Sequence, residues 1–198
     1  LMPLVIAIQN RAIDKEDQAR IAISLVQNIE WGKSNKTEFF RDTQIQYSRY
    51  PYEVLYDSEG VCGEKSELLA FLLRELGYGV AFFYNLEENH EAIGVKCPIE
   101  ESWKNSGYCF VETTGPSIIT DTEINYVGGL KLESEPQVLF ISDGESLSSD
   151  LYEYGDAEKL IDIRKSVNGD SFFFNPKKLV DFKKLERKYG LVKRYEAG

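Results

Sequence analysis

The chain has 198 residues, 42% of them apolar and 28% charged, and a formal charge of -10. That composition supports one sizeable globular core, and its acidity argues against nucleic acid or an anionic membrane surface as partner, because phosphate repels it. No stretch approaches the run of about 18 apolar residues that a membrane span needs.

The chain starts "LMPLVIAIQN", a short apolar run with no basic leader, which reads as no complete signal peptide. A residue before Met2 suggests an excised fragment, so an upstream anchor stays open. Asp14 to Trp31 follows as an amphipathic helix. Ala19, Ala22, Ile23, Val26 and Ile29 recur at helical spacing, and Asp14 is its expected N-cap. Residues 32–60 read as a loop region with Pro51 before a turn-rich run. Val61 to Leu76 is the next helix. Leu68, Leu69, Leu72, Leu73 and Leu76 leave it little polar face, and Gly77 is a fitting stop.

Strand signals come next. "GVAFFYNL" is a continuous apolar run of strand length, and "HEAIGVKC" and "GYCFVETT" flank a polar loop, so the latter two read as an antiparallel pair. "PQVLFISDG" is a further strand. "DAEKLIDIRKSV" and "NPKKLVDFKKLERKYG" read as helices, the second capped by Asn175, opened by Pro176 and ended by Gly190. The basic segment from Lys177 to Arg194 reads as the wet face of that helix. Helices first and strands after, without regular alternation, predict an α+β fold with an antiparallel sheet.

Three cysteines, Cys62, Cys97 and Cys109, make no disulfide framework in a chain of this length. A single histidine, His90, argues against a multi-histidine metal site, and no CxxC spacing supports structural zinc. Cys62 stands where a Gly-rich loop, "YDSEGVCG", runs into a buried helix. Such a cysteine is a small core residue, half of a disulfide, a metal ligand or a nucleophile. Unpaired amides at a helix N-terminus favour a thiolate, and Gly60 and Gly63 keep the backbone approachable. A nucleophilic thiol needs a base, for which His90 is the candidate, and the base needs an orienting acceptor, which Glu112 on the paired strand supplies. If His90 lies opposite Glu112, both point to one face. The same register sets Cys97 opposite Asn105 and leaves Cys97 and Cys109 roughly 13 Å out of step, too far for a disulfide. On this reading the triad and that disulfide compete.

The order of these motifs resembles the transglutaminase-like core, a branch of the papain-like cysteine enzymes. The resemblance is carried by "EGVCGEKSELLAFLLRELGYGVAFFY", "NHEAIGVKC" and "GYCFVETTGPS", and spans Pro51 to Pro116. It implies Cys62 as nucleophile, His90 as general base and acid, and Glu112 as orienting residue. Family members usually carry Asp or Asn at the third position, so Glu112 is a departure. The backbone N–H of Cys62 is one expected oxyanion donor, with Gln44, Gln46 and Tyr56 as side-chain candidates.

Other residues have plainer readings. Glu64 and Lys65 read as first-turn helix residues, Cys97 and Cys109 as small strand residues, and Phe82, Phe83, Tyr84 and Phe172 to Phe174 as core. Trp31 and Trp103 carry no signal separable from packing. The expectation is therefore one transglutaminase-like domain over 1–198, with a core over about 14–145 and a C-terminal elaboration over about 146–198. Its expected chemistry is acyl transfer from peptide or protein amides through a thioester, as a protease, amidase or transglutaminase, with no metal or organic cofactor. The alternative is a silent peptide-binding domain of the same fold. A redox role for Cys62 lacks a nearby resolving cysteine. Acceptor, oligomeric state and compartment (cytoplasm, or the soluble part of an anchored protein) are left open.

Overall fold

The computed structural model describes residues 1–33, 36–123, 131–167 and 176–191. In chain order the elements are α1 (Met2–Arg11), α2 (Lys15–Gln27), β1 (Glu30–Trp31), β2 (Thr37–Phe40), β3 (Thr43–Gln46), α3 (Pro51–Asp57), β4 (Glu59–Gly60), α4 (Cys62–Glu75), β5 (Val80–Asn85), β6 (His90–Lys96), β7 (Tyr108–Val111), β8 (Gln137–Ser142), α5 (Tyr152–Val167) and α6 (Pro176–Tyr189). Two short 3-10 turns, Ile99–Glu101 and Trp103–Asn105, lie between β6 and β7. The fold is α+β, built on a four-stranded antiparallel sheet in the order β7-β6-β5-β8.

Helix α4 packs on one face of this sheet. Leu68, Leu69, Leu72 and Leu73 have no exposed surface, and they join Val80, Ile93, Val95 and Val111 of the sheet with Ala22, Ile23 and Val26 of α2. Each leucine buried this way contributes about 1.5–3 kcal/mol relative to an exposed one. The continuous apolar face of α4 is thus explained by neighbours on both sides, the sheet and α2. The opposite sheet face carries a smaller cluster of Phe83, Ala92 and Phe110, with Trp103 edge-on to both phenyl rings at 4.9 and 5.0 Å.

Caps define the ends of the two long core helices. The Asp14 carboxylate accepts from the Asp17 N–H at 3.0 Å. Glu64 accepts from the Val61 N–H at 3.1 Å, closing the first turn of α4. Gly77 ends α4 at φ +98°, a left-handed conformation that costs glycine nothing.

The region 32–60 is more ordered than its sequence implies. It holds the β2–β3 hairpin, helix α3 and strand β4, which pairs in parallel with β1 just before the region. The hairpin residues are exposed on both faces, so no inside–outside alternation marks them. Helix α1 was likewise not expected; it buries only Val5 and Ile8. Asn175, Phe172 to Phe174 and Arg194 lie outside the described residues. Among the described residues no helix is long and apolar enough to cross a membrane.

Candidate functional site

Cys62 is the first residue of α4 and is half-buried. The approach to it is tight. A Cβ on Gly60 would lie 3.0 Å from Lys65 Cγ and 3.2 Å from a Val54 methyl, so the strand before the cysteine passes close against its own helix. The first amides of α4 have no intrahelical acceptor, so this end of the helix presents N–H groups and positive potential around the thiol.

His90 opens β6 and is 2% exposed. Its Nε2 is 2.8 Å from Glu112 Oε2, and the neighbouring Cys62 side chain also favours the charged ring. With Nε2 committed to the carboxylate, Nδ1 is the nitrogen left for sulfur. Burial works against a charge on this ring. The Glu112 carboxylate, the Cys62 side chain and the hydrogen bond to Glu112 overcome it, and the imidazolium is held up to about 10.

Glu112 is 1% exposed and fully engaged. Its Oε1 accepts from the Thr113 N–H at 2.9 Å, the Thr114 N–H at 2.8 Å and the Thr114 hydroxyl at 2.8 Å. Burial pushes this carboxyl up, but the His90 charge and these donors hold it below the usual carboxylate range. Thr113 and Thr114 are therefore part of the site, which the sequence reading missed. The signal was present as "ETT", a carboxylate followed directly by two backbone donors and two hydroxyls.

The two halves of the site are stitched together by small polar side chains. Ser66 Oγ lies 3.1 Å from Thr113 Oγ1, and Thr113 Oγ1 donates to the Cys62 carbonyl at 3.5 Å. Ser66 also donates to the Glu91 carbonyl at 3.3 Å. The first turn of α4 is thereby tied to the start of β6 and the end of β7.

Three acidic or basic residues neighbour Cys62, His90 and Glu112. Glu64 is buried and accepts from the Arg49 backbone N–H at 2.6 Å and from its guanidinium at 3.2 Å, so it anchors the turn rather than facing a substrate. Lys65 is completely buried, donates to the Ile29 carbonyl at 2.6 Å, and is pushed down to about 8 by burial, with the Glu112 charge pulling the other way. Glu91, whose carboxylate would lie 3.8 Å from a Cβ on Gly63, is pushed up to about 7 by burial and by Glu67, with His90 opposing.

The side chains expected to help bind an oxyanion are on the surface. Gln44 is exposed on the hairpin and donates to Thr37 Oγ1 at 2.8 Å, Gln46 is exposed beside it, and Tyr56 is 88% exposed on α3.

Two sequence expectations are corrected. Cys97 and Cys109 are not separate small strand residues; they form a disulfide with Cα atoms 5.7 Å apart. The strand register accounts for the bond. Strand β6 pairs with β7 as Ile93↔Val111, Gly94↔Phe110, Val95↔Cys109 and Lys96↔Tyr108. The Cys97 N–H donates to the Gly107 carbonyl at 3.0 Å, so Gly107, not Asn105, faces Cys97. Cys109 is then one diagonal step from Cys97, and their Cα separation of 5.7 Å lies in the disulfide range. His90 and Glu112 are also a diagonal pair, offset the other way. The His90–Glu112 contact and the disulfide therefore coexist.

No protein-family model matches the chain, and no curated protein does. Among solved structures it is similar to calcium-bound LapG of Legionella pneumophila, with a TM-score of 0.42 and 16% identity over 80% of this chain and 86% of that one. A second structure of Legionella pneumophila LapG aligns with a TM-score of 0.31 and 18% identity, over 48% of this chain and 54% of that one.

Proposed function

We propose that Cys62, His90 and Glu112 form a thiol acyl-transfer centre acting on peptide or protein amides. One arrangement carries the reading: a buried imidazole bridges a helix-terminal cysteine and a carboxylate 2.8 Å away that is itself held by three further donors. A histidine kept only for packing needs no such charge-matched acceptor, and a cysteine kept only for packing needs no contact with a cation. The order of the three motifs in the sequence supports the same assignment.

The chemistry follows from the geometry. The Cys62 sulfur attacks the amide carbonyl carbon, and the C=O electron pair moves to oxygen. Free amides at the head of α4, that of Cys62 first, are the donors available to that oxyanion. His90, protonated at Nδ1, gives this proton to the departing amine as the C–N bond breaks and the thioester forms. The neutral ring then takes a proton from the incoming acceptor, and the thiolate leaves as the new acyl bond closes. Water as acceptor makes the reaction hydrolysis; an amine makes it crosslinking. Glu112 keeps the ring oriented throughout and stabilises it whenever it carries the proton.

The test is alkylation and turnover together. Iodoacetamide should modify Cys62 at neutral pH faster than a thiol in an unstructured peptide, and His90→Ala should slow it. Incubation with a mixed protein digest, with and without an added primary amine, should yield cleaved or amine-linked peptides that vanish in Cys62→Ala. Labelling no faster than the free thiol, with no product in either condition, would leave a peptide-binding domain and overturn the proposal.

A further inference from the structure

We propose that Gln27, on the last turn of α2, is a positioning residue that holds the Glu112 segment in place beneath His90. The inference rests on the acyl-transfer reading above for its meaning, and on a separate set of contacts for its evidence.

Strand β7 ends at Val111, so the ladder that aligns its residues stops just before Glu112. Something else must fix residues 112–117. Gln27 is 5% exposed, and every hydrogen bond of its side chain goes to this segment. Its Nε2 donates to the Glu112 carbonyl at 2.9 Å, to Ser117 Oγ at 3.0 Å and, more weakly, to the Ser117 carbonyl at 3.3 Å. Its Oε1 accepts from the Ser117 N–H at 3.4 Å. The amide thus grips both ends of the turn that carries the carboxylate.

The helix itself has no need of this side chain. Gln27 follows the apolar positions Ala19, Ala22, Ile23 and Val26, which pack in the core, and an amide buried beside them is costly unless paired. A second tie leaves the same end of α2: Lys65 Nζ donates to the Ile29 carbonyl at 2.6 Å. The end of α2 and the residues that directly follow it are therefore bonded both to the helix that bears Cys62 and to the segment that bears Glu112. They set the distance between nucleophile and acid, with His90 spanning the gap.

The same helix supplies a matched control. Gln18 is equally buried and donates to the Ala12 carbonyl at 2.9 Å, away from the site. Gln27→Met and Gln18→Met each remove a buried amide at nearly constant volume. Three quantities are compared in folded protein: the alkylation rate of Cys62, the His90 titration midpoint by NMR, and the combination of each variant with Glu112→Gln. Gln27→Met should slow alkylation by about tenfold to a hundredfold, the range for misplacing a reacting group by up to about 1 Å. It should lower the His90 midpoint and add little to Glu112→Gln, because both remove the same support. Gln18→Met should leave the midpoint unchanged. Ser117→Ala removes one of the four contacts and should shift the midpoint in the same direction by less, which keeps the test alive if Gln27→Met does not fold.

A His90 midpoint equal in wild type, Gln27→Met and Ser117→Ala overturns the inference, as does a Gln27→Met loss that multiplies fully with that of Glu112→Gln. Slow alkylation of the wild type overturns the acyl-transfer reading instead, and the midpoint comparison still decides the role of Gln27.

Discussion

His90 and Glu112 meet at 2.8 Å although they are not cross-strand partners. Continued by one residue, the β6–β7 register sets Glu112 opposite Ala92, two positions along from His90. The contact is diagonal, and diagonal neighbours on antiparallel strands generally start farther apart than directly opposed ones. This gives the glutamate a reason. Its extra methylene, a departure from the Asp or Asn expected by resemblance, supplies reach that a shorter side chain would lack.

The first prediction concerns that reach and charge. Glu112→Gln keeps the length and removes the charge. His90 should titrate near or below the ordinary histidine value instead of at about 10. Any amide turnover should fall by about 10²–10⁴, the contribution of a positioned acid–base group. An NMR titration of the single histidine reads the first effect directly; an unchanged midpoint would contradict the ion-pair assignment.

Stability should depend on pH through the same group. The folded-state value of His90, about 10, lies above its unfolded value of about 6.5. Between these the folded protein holds a proton that the unfolded chain has lost. The stabilisation is therefore complete below about pH 6.5 and disappears as pH rises to about 10. Urea unfolding of wild type and Glu112→Gln across this window should show the wild-type advantage shrinking, by a few kcal/mol at about 1.4 kcal/mol per pH unit at most. A gap constant with pH would count against it.

Thiol counting tests the disulfide. Because Cys97 is bonded to Cys109, a thiol reagent should find one group per chain, Cys62, both in native protein and in denaturant without reductant, and three after reduction. Replacing both Cys97 and Cys109 by alanine should lower stability by about 2–4 kcal/mol, measured by chemical denaturation. Three reactive thiols in unreduced, denatured protein would refute the pairing.

Thr114→Val tests the support beneath Glu112. The substitution keeps the volume and removes the hydroxyl that donates to Oε1 at 2.8 Å. A buried carboxylate that loses a donor should cost about 1–3 kcal/mol of stability, and the His90 midpoint should shift with it. The backbone donors of Thr113 and Thr114 remain, so the shift should be smaller than that in Glu112→Gln.

Much of this was legible in the residues. The leucine spacing of α4, the cap at Asp14, the stop at Gly77 and the four strands follow from local periodicity and turn chemistry, which act over a few residues and are written in the sequence directly. So was the order of cysteine, histidine and acid. The exposed β2–β3 hairpin was not, because with both faces wet no alternation betrays it. Thr113, Thr114 and Gln27 were hidden for a different reason: a polar side chain declares its role only through the partner it meets.

The sequence by itself determined helices α2 and α4, the four strands of the main sheet, the apolar face of the Cys62 helix and which side chains were available for chemistry. Tertiary structure alone decided the strand register, and with it whether histidine and glutamate meet directly or diagonally, and whether Cys97 reaches Cys109. The reason is physical. Side chains alternate with a period of two along a strand, so composition and parity are unchanged when the register slips by two residues. Only the packed sheet, pinned by Gly107, Cys109 and the turn held by Gln27, selects one register from the set.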